Sequence, residues 1–412
     1  MKWTAAWMTA GLLLVTPHAS AQLIGGGGPI GRVVPGLLDR VDGTVDGVGL
    51  DRLSPARLGQ RLAAARTERI EALLRGNRDT IELDERREPA RRGVILLTGA
   101  DAGALDALRA AGFGVESEAV EGLDLSVARL RVPQGRSLPR ALRDVRRIAP
   151  GAQASADNLY FPGGAAPAMA GSALAGGGAV SGRIAGLIDG GVARHPALSG
   201  PIEQRGFARG APRASAHGTA VASLISGNGN VRGAAPGAPL LVADVYGDDP
   251  AGGGAFAIVR ALGWMAARGV RVVTVSLVGP DNPLLAGAIR LARDKGVMVV
   301  AAVGNDGPAA PPAYPASYTG VVAVTGIDGR GRLLPEAGRA AHVDFAAPGA
   351  DMNAAQGNGG KGAVRGTSFA APLVAGRLLL RGSVDGLRTE AAAGKGRGFG
   401  GGVICATCRN MD

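Results

Sequence analysis

Four side chains of this sequence have types and positions suited to acyl transfer. Asp189 ends the apolar run RIAGLID, and His217 opens HGTAVASLISG. Asn305 follows VMVVAAV in GNDGP, and Ser368 sits in GTSFAAP where a helical stretch begins. A serine hydroxyl attacks a carbonyl well only if a base removes its proton; neutral imidazole can do so and then protonate the leaving amine. A carboxylate on the far ring nitrogen fixes the tautomer and stabilises the imidazolium. A side-chain amide beside a helix-start N–H can hold the oxyanion of a tetrahedral intermediate. Asp189, His217 and Ser368 are therefore the candidate catalytic residues, and Asn305 with the Ser368 backbone is the candidate oxyanion hole.

Secondary structure must bring these residues together. RIAGLID, PLLVADV, VRVVTVSL, VMVVAAV and GVVAVTG are the near-continuous apolar runs of strands buried on both faces. Between them the spacing predicts helices over 219–226, 256–268, 283–294 and 367–380, with Asn282 as a cap before Pro283. The alternation predicts an α/β fold, a parallel sheet with helices on both faces. Sites in such sheets form at the carboxyl ends of strands, where the four residues stand.

Upstream, residues 93–160 read as GVILLT, a helix over 102–111, FGVESEAV, LSVARLRV, a helix capped by Ser137, and AQASADNLY. This βαββαβ order is a small, ferredoxin-like α+β arrangement, and it contains no His or Cys. Residues 55–74 are amphipathic, with Leu58, Leu62, Ile70 and Leu74 as the apolar stripe and the arginines read as a solvated face. The opening combines Lys2, an apolar run to Val15 and Ala19-Ser20-Ala21, the pattern of a secretory signal peptide cut after Ala21. That run is too short for a membrane span and is broken at Pro17. After Tyr160 a stretch of small residues without periodicity reads as an exposed linker.

IDGGVARHPAL, HGTAVASLISG, VAAVGNDGP and GTSFAAPLVAG occur in order and resemble the signature blocks of subtilisin-like serine proteases (subtilases, peptidase family S8), over about Ile184 to Gly376. The chain order Asp, His, Ser is also that family's. The resemblance implies Asp189, His217 and Ser368 as a triad, with Asn305 as oxyanion donor. It implies Ser276, Leu277, Val278 and Gly279 as a strand that pairs with substrate, Gly252, Gly253 and Gly254 as the opposing strand, and Ala302, Val303 and Gly304 as one wall of the primary pocket. A peptide held this way is recognised by added β-strand pairing. The βαββαβ unit resembles the family's propeptide, an intramolecular chaperone and inhibitor. The resemblance thus implies a secreted or periplasmic serine endopeptidase that acts on polypeptides and is made as an autoprocessed zymogen. The expected organisation is a signal peptide (1–21), leader and amphipathic helix (22–90), propeptide (91–160), linker with the maturation site (161–182), catalytic domain (183–404) and CxxC tail (405–412). Three positions depart from the pattern: Ala220 and Leu373 stand where histidine is common, and Val278 stands where the substrate strand often has glycine.

The rest of the composition bounds this reading. Gly and Pro, at 69 and 25 of 412 residues, lie just under the roughly 25–30% at which a low-complexity chain becomes the better prior. The net charge of +11 invites a nucleic-acid or anionic-surface reading, but the excess is spread along the chain with no interleaved aromatics, so no nucleic-acid partner is expected. No membrane segment is expected after signal cleavage, and a monomer is expected. His195 and His342 read as structural. The chemistry requires no cofactor, and no cluster has the ligand spacing of a catalytic metal site. A structural calcium is left open, with Asp248-Asp249 read as a solvated turn. Cys405 and Cys408, the only cysteines, read as a local disulfide of an exported chain. The rival reading is a subtilase-fold protein with weak or no catalysis that binds peptides or the cell envelope.

Overall fold

The computed structural model describes residues 54–163, 181–357, 359–394 and 396–411. The expected signal peptide, the leader up to residue 53 and most of the expected linker lie outside the described residues.

Helix α1 (Pro55–Gly76) opens with Ser54 as N-cap and Pro55 in the first turn. It leads into an antiparallel sheet built from β1 (Ile81–Leu83), β2 (Pro89–Thr98), β3 (Gly114–Ala119), β4 (Ser126–Arg131) and β5 (Gln153–Asn158). Helix α2 (Ala102–Ala110) joins β2 to β3, and α3 (Leu138–Ile148) joins β4 to β5, so the βαββαβ order is present. The sheet starts earlier than the boundary expected near 91, because β1 pairs with the start of β2. Ser137 stands at the N-cap of α3, but its side chain makes no capping hydrogen bond there.

Strand β2 uses both of its faces. Ile95 and Leu97 pack with Leu108, Leu142 and Val145 beneath α2 and α3. Leu96, from the opposite face, joins Val127 in a core shared with Phe256, Val259 and Trp264 of the second unit. A strand alternates its side chains between faces, so this small sheet is covered by its own helices on one side and by the parallel-sheet unit on the other.

The second unit is a seven-stranded sheet in the order β14-β13-β12-β10-β7-β9-β8, every adjacent pair parallel. Its strands are β7 (Ala185–Asp189), β8 (Ile202–Gly206), β9 (Leu240–Asp244), β10 (Val272–Val275), β12 (Met298–Ala302), β13 (Val322–Ile327) and β14 (Phe345–Pro348). Helices α5 (Ala255–Ala267) and α6 (Pro283–Asp294) cover one face with Ile188, Val273 and Val299. Helices α4 (Ala216–Ser226) and α7 (Thr367–Arg381) cover the other with Leu187, Val272 and Val300. The expected α/β architecture is therefore present. Asn282 caps α6 through Leu284 N and Leu285 N, and its Nδ2 donates to Ala156 O and Asn158 Oδ1 of β5, tying the two units together.

Polar β8, short β14 and the hairpin of β15 (Met352–Ala355) with β16 (Lys361–Val364) carry little apolar periodicity and are not evident in the sequence. Helix α8 (Val384–Arg388) follows α7, and Glu390 beyond it pairs with Arg377 and Arg381 of α7, which hold its carboxyl below the usual range. Cys405 and Cys408 are bonded to each other. Among the described residues no helix is long and apolar enough to cross a membrane.

Candidate active site

Asp189 is the last residue of β7, at the point in the sheet where strand order reverses, and it is fully buried. Its Oδ2 and Oδ1 lie 2.8 and 3.0 Å from His217 Nδ1. His217 occupies the first turn of α4, whose start is fixed by Ser215 Oγ accepting from Gly218 N. With Nδ1 donating to the carboxylate, Nε2 is the basic nitrogen; it is buried and has no hydrogen-bond partner. Its ring leans on Phe369, the residue after Ser368.

Ser368 lies in the first turn of α7. Its hydroxyl donates to Ser276 O at 3.1 Å, while Ser276 Oγ donates to Ser368 O at 3.0 Å. The Ser368 hydroxyl is thus turned to the neighbouring strand and not to His217. Asn305 stands just past β12; its Oδ1 accepts from Thr367 N at 3.0 Å, which aims Nδ2 into the cleft.

The cleft is occupied by the chain itself. Strand β6 (Phe161–Pro162) pairs antiparallel with β11 (Leu277–Val278). Across from it, Leu159 bridges Gly254, and Tyr160 N donates to Gly253 O at 2.9 Å. Gly163 N donates to Ser276 O at 3.3 Å. Gly163 O accepts from Asn305 Nδ2 and from Ser368 N, the latter at 3.4 Å. Residues 159–163 lie as an extended strand between two others, the arrangement by which a peptide adds to sheet edges.

Not every residue expected around the substrate touches this segment. Gly253, Gly254, Ser276, Leu277 and Val278 contact it through their backbones, and Gly279 packs against the Tyr160 ring. Leu277 turns its side chain into the core, and Ala302 belongs to the core under α4 and α7. Gly252 closes a turn on Tyr246 and Asp249. Ala220 and Leu373 are buried in the same core as Phe369, so small and aliphatic residues there meet a packing requirement.

The family resemblance implies that the propeptide tail leaves through the active site, but sequence reading did not name residues 159–163 as the segment lying there, and it missed several groups around them. Tyr160 is fully buried; its hydroxyl donates to Pro280 O, and Tyr246 Oη donates to its carbonyl. Burial pushes the Tyr160 hydroxyl well above its usual pKa. Asp157 accepts from Phe256 N at the start of α5, a carboxylate of the first unit capping a helix of the second. Burial raises its carboxyl, opposed by Arg91. Arg91 also bonds Asp249, which is largely buried, while Asp248 stays exposed in the turn with the exposed Arg209 beside it, so the solvated reading holds for Asp248 and not for Asp249. Helix α1 reaches the site too. Arg66 and Arg69 pair with Asp306, directly after Asn305, and Arg66 also pairs with Glu88, so this face is not simply solvated. Among the described residues no group of three or more His, Cys, Asp or Glu could hold a metal ion.

Residues 181–385 match the subtilase family, Peptidase S8. Subtilisin BL of Lederbergia lenta is 35% identical over 205 residues, 47% of this chain and 74% of that protein. The chain belongs to the subtilase family. The major intracellular serine protease of Bacillus subtilis (strain 168) is 35% identical over 172 residues, 40% of this subtilase; the match spans about half of that relative, 54%. Among solved structures, fervidolysin from Fervidobacterium pennivorans, described as a keratinolytic enzyme related to subtilisin, superposes with a TM-score of 0.64 at 20% identity, over 81% of this chain and 63% of that one. The epidermin leader peptide processing serine protease from Staphylococcus aureus gives 0.59 at 17% identity, over 78% and 98%. Both likenesses concern the fold. Each covers more of this subtilase than the parallel-sheet unit alone supplies, so each extends into the βαββαβ unit.

Proposed function

We propose that this subtilase is an exported serine endopeptidase made as an autoprocessed zymogen, with Asp189, His217 and Ser368 as its triad and Asn305 with Ser368 N as its oxyanion hole. The observation that carries the reading is the bound segment: Gly163 O sits on the two proposed oxyanion donors beside the nucleophile, while a buried His217 Nε2 without a partner is available as base. The βαββαβ unit then acts as propeptide, with its tail leaving through the cleft as an inhibitor before it is a substrate. Export rests on the signal-like first 21 residues.

The rival reading, a fold that binds peptide without cutting it, draws on the Ser368 hydroxyl donating to Ser276. A fluorophosphonate probe separates the two. Expected is covalent labelling of the purified protein that disappears in Ser368→Ala, together with accumulation of the unprocessed Ser368→Ala chain. Equal labelling of both, or normal maturation of the purified variant with no other protease present, contradicts the endopeptidase reading.

A further inference from the structure

The bound segment also bears on which bond is cut. Gly163 is the residue whose carbonyl meets the oxyanion donors, and two groups stand close to where a side chain on it would begin. A Cβ at Gly163 would stand 2.9 Å from Ser368 Oγ and 3.2 Å from Val278 Cγ2. The serine hydroxyl can turn away, because its rotation is part of the reaction. The Val278 isopropyl group is branched at Cβ, which limits its rotamers, and it faces Gly304: a Cβ built on Gly304 would lie only 3.2 and 3.4 Å from its two methyls and 3.7 Å from Ala313 Cβ. Val278 therefore spans the gap between the 276–279 backbone and Gly304, the slot into which a side chain at the cut position must pass. A cavity of about 160 Å³ borders Gly163, Val278, Gly304 and Ala313, with Val278 beside the point where a side chain on residue 163 would enter it, so trimming Val278 widens that entry.

Three residues upstream the cleft makes the opposite choice. The Tyr160 ring lies where a Cβ on residue 279 would come within 2.6 Å of it, so Gly279 is what admits the ring. Its hydroxyl reaches Pro280 O at 2.7 Å, a partly buried hydrogen bond that phenylalanine would leave unmade.

We propose that this protease cuts after glycine, that Val278 imposes the choice, and that the bond following Gly163 is its first substrate. The preferred class is an extended segment with a tyrosine three places before that glycine. The proposal deepens the endopeptidase reading and rests on it. In the first step Ser368 Oγ bonds to the Gly163 carbonyl carbon as its proton passes to His217. The bond to the nitrogen of residue 164 breaks, and that nitrogen takes the proton from His217. Water then adds its oxygen to the same carbon and gives a proton to His217; the bond from that carbon to Ser368 Oγ breaks, and Oγ takes the proton back from His217. The products are a Gly163 carboxylate and a new amino terminus, with water as the sole co-reactant.

The test uses the full chain, with Val278→Gly, Val278→Ala and Gly163→Phe singly and Val278→Gly with Gly163→Phe combined. Three readouts are taken: fluorophosphonate labelling, the mass of the released amino-terminal fragment, and kcat/KM on Tyr-Phe-Pro-X peptides with X as Gly, Ala, Leu or Phe. Expected are a fragment ending at Gly163 and a preference for Gly over Leu or Phe of about tenfold or more, the scale on which pocket volume discriminates. Val278→Gly, and to a lesser degree Val278→Ala, should raise cleavage after Leu and Phe by a similar factor. Gly163→Phe should stall processing, and adding Val278→Gly should restore it. With labelling intact, a fragment ending elsewhere, a wild-type protein that cuts after Phe as readily as after Gly, or an unchanged profile in the Val278 variants overturns the proposal. Absence of labelling in the wild type overturns the endopeptidase reading, and this proposal with it.

Discussion

Asn305 has both ends of its amide committed, one to Thr367 N and the other to Gly163 O. Exchange for alanine removes the donor and leaves the Thr367 N–H without its acceptor. The expected loss is about 10²–10³ in kcat, a magnitude for one oxyanion donor that itself comes from a subtilisin. Steady-state kinetics on a Gly-containing peptide should show it; a change confined to KM would count against the role. Asp189, His217, Asn305 and Ser368 are legible in the sequence because their types are rare in apolar strand-end contexts and each is embedded in a distinctive block. Gly163 is not, since one glycine among 69 carries no chemical label. Val278 is visible as a departure, but its consequence depends on how closely Gly163 and Gly304 approach it.

At the scale of elements, α1 is predicted by its apolar spacing, and the structure adds where it docks. Leu62 packs over Gly307 while Arg66 and Arg69 reach Asp306, so the helix rests on the loop that presents Asn305. These arginines are half-buried, and such pairs are worth about 0.2–1 kcal/mol each. If α1 helps keep the bound segment seated, the Arg66→Ala, Arg69→Ala double variant should release activity sooner after processing, by no more than about fivefold per pair. It should also lose the salt dependence of that release, since added salt screens the same contacts in the wild type. A release rate and salt dependence identical to wild type would remove α1 from the control of latency.

Across the whole molecule, the small sheet lies against α5 and α6 with a fit that leaves no room at its closest point. Gly122, in the turn between β3 and β4, has φ +73°, and a Cβ there would fall 2.3 Å from Gly263 O and 2.6 Å from Ala267 N of α5. Gly122→Val combines a strained left-handed backbone with that clash. The expected outcome is a marked fall in the fraction of chain that reaches the processed form, read by gel from the full-length protein. Normal yield of processed protein would mean that this seating is dispensable. The sequence offers two glycines and an alternating strand, and neither says that they meet.

By itself the sequence determined most of the apolar strands and helices and named the candidate reactive groups. Strand and helix periodicity, helix starts and the chemical identity of four side chains are local properties, set by backbone sterics and by which atoms each residue carries. The tertiary structure decided the contacts between distant segments. It alone shows which stretch lies in the cleft, which carbonyl rests on Asn305 and Ser368, and how α1 and the outer face of the small sheet are buried. The sequence placed the proposed maturation cut only within a linker of small residues, and left the proposed pocket's choice of side chain open. Those properties depend on packing between groups more than a hundred residues apart, where differences of a few tenths of an ångström decide whether a methyl group fits.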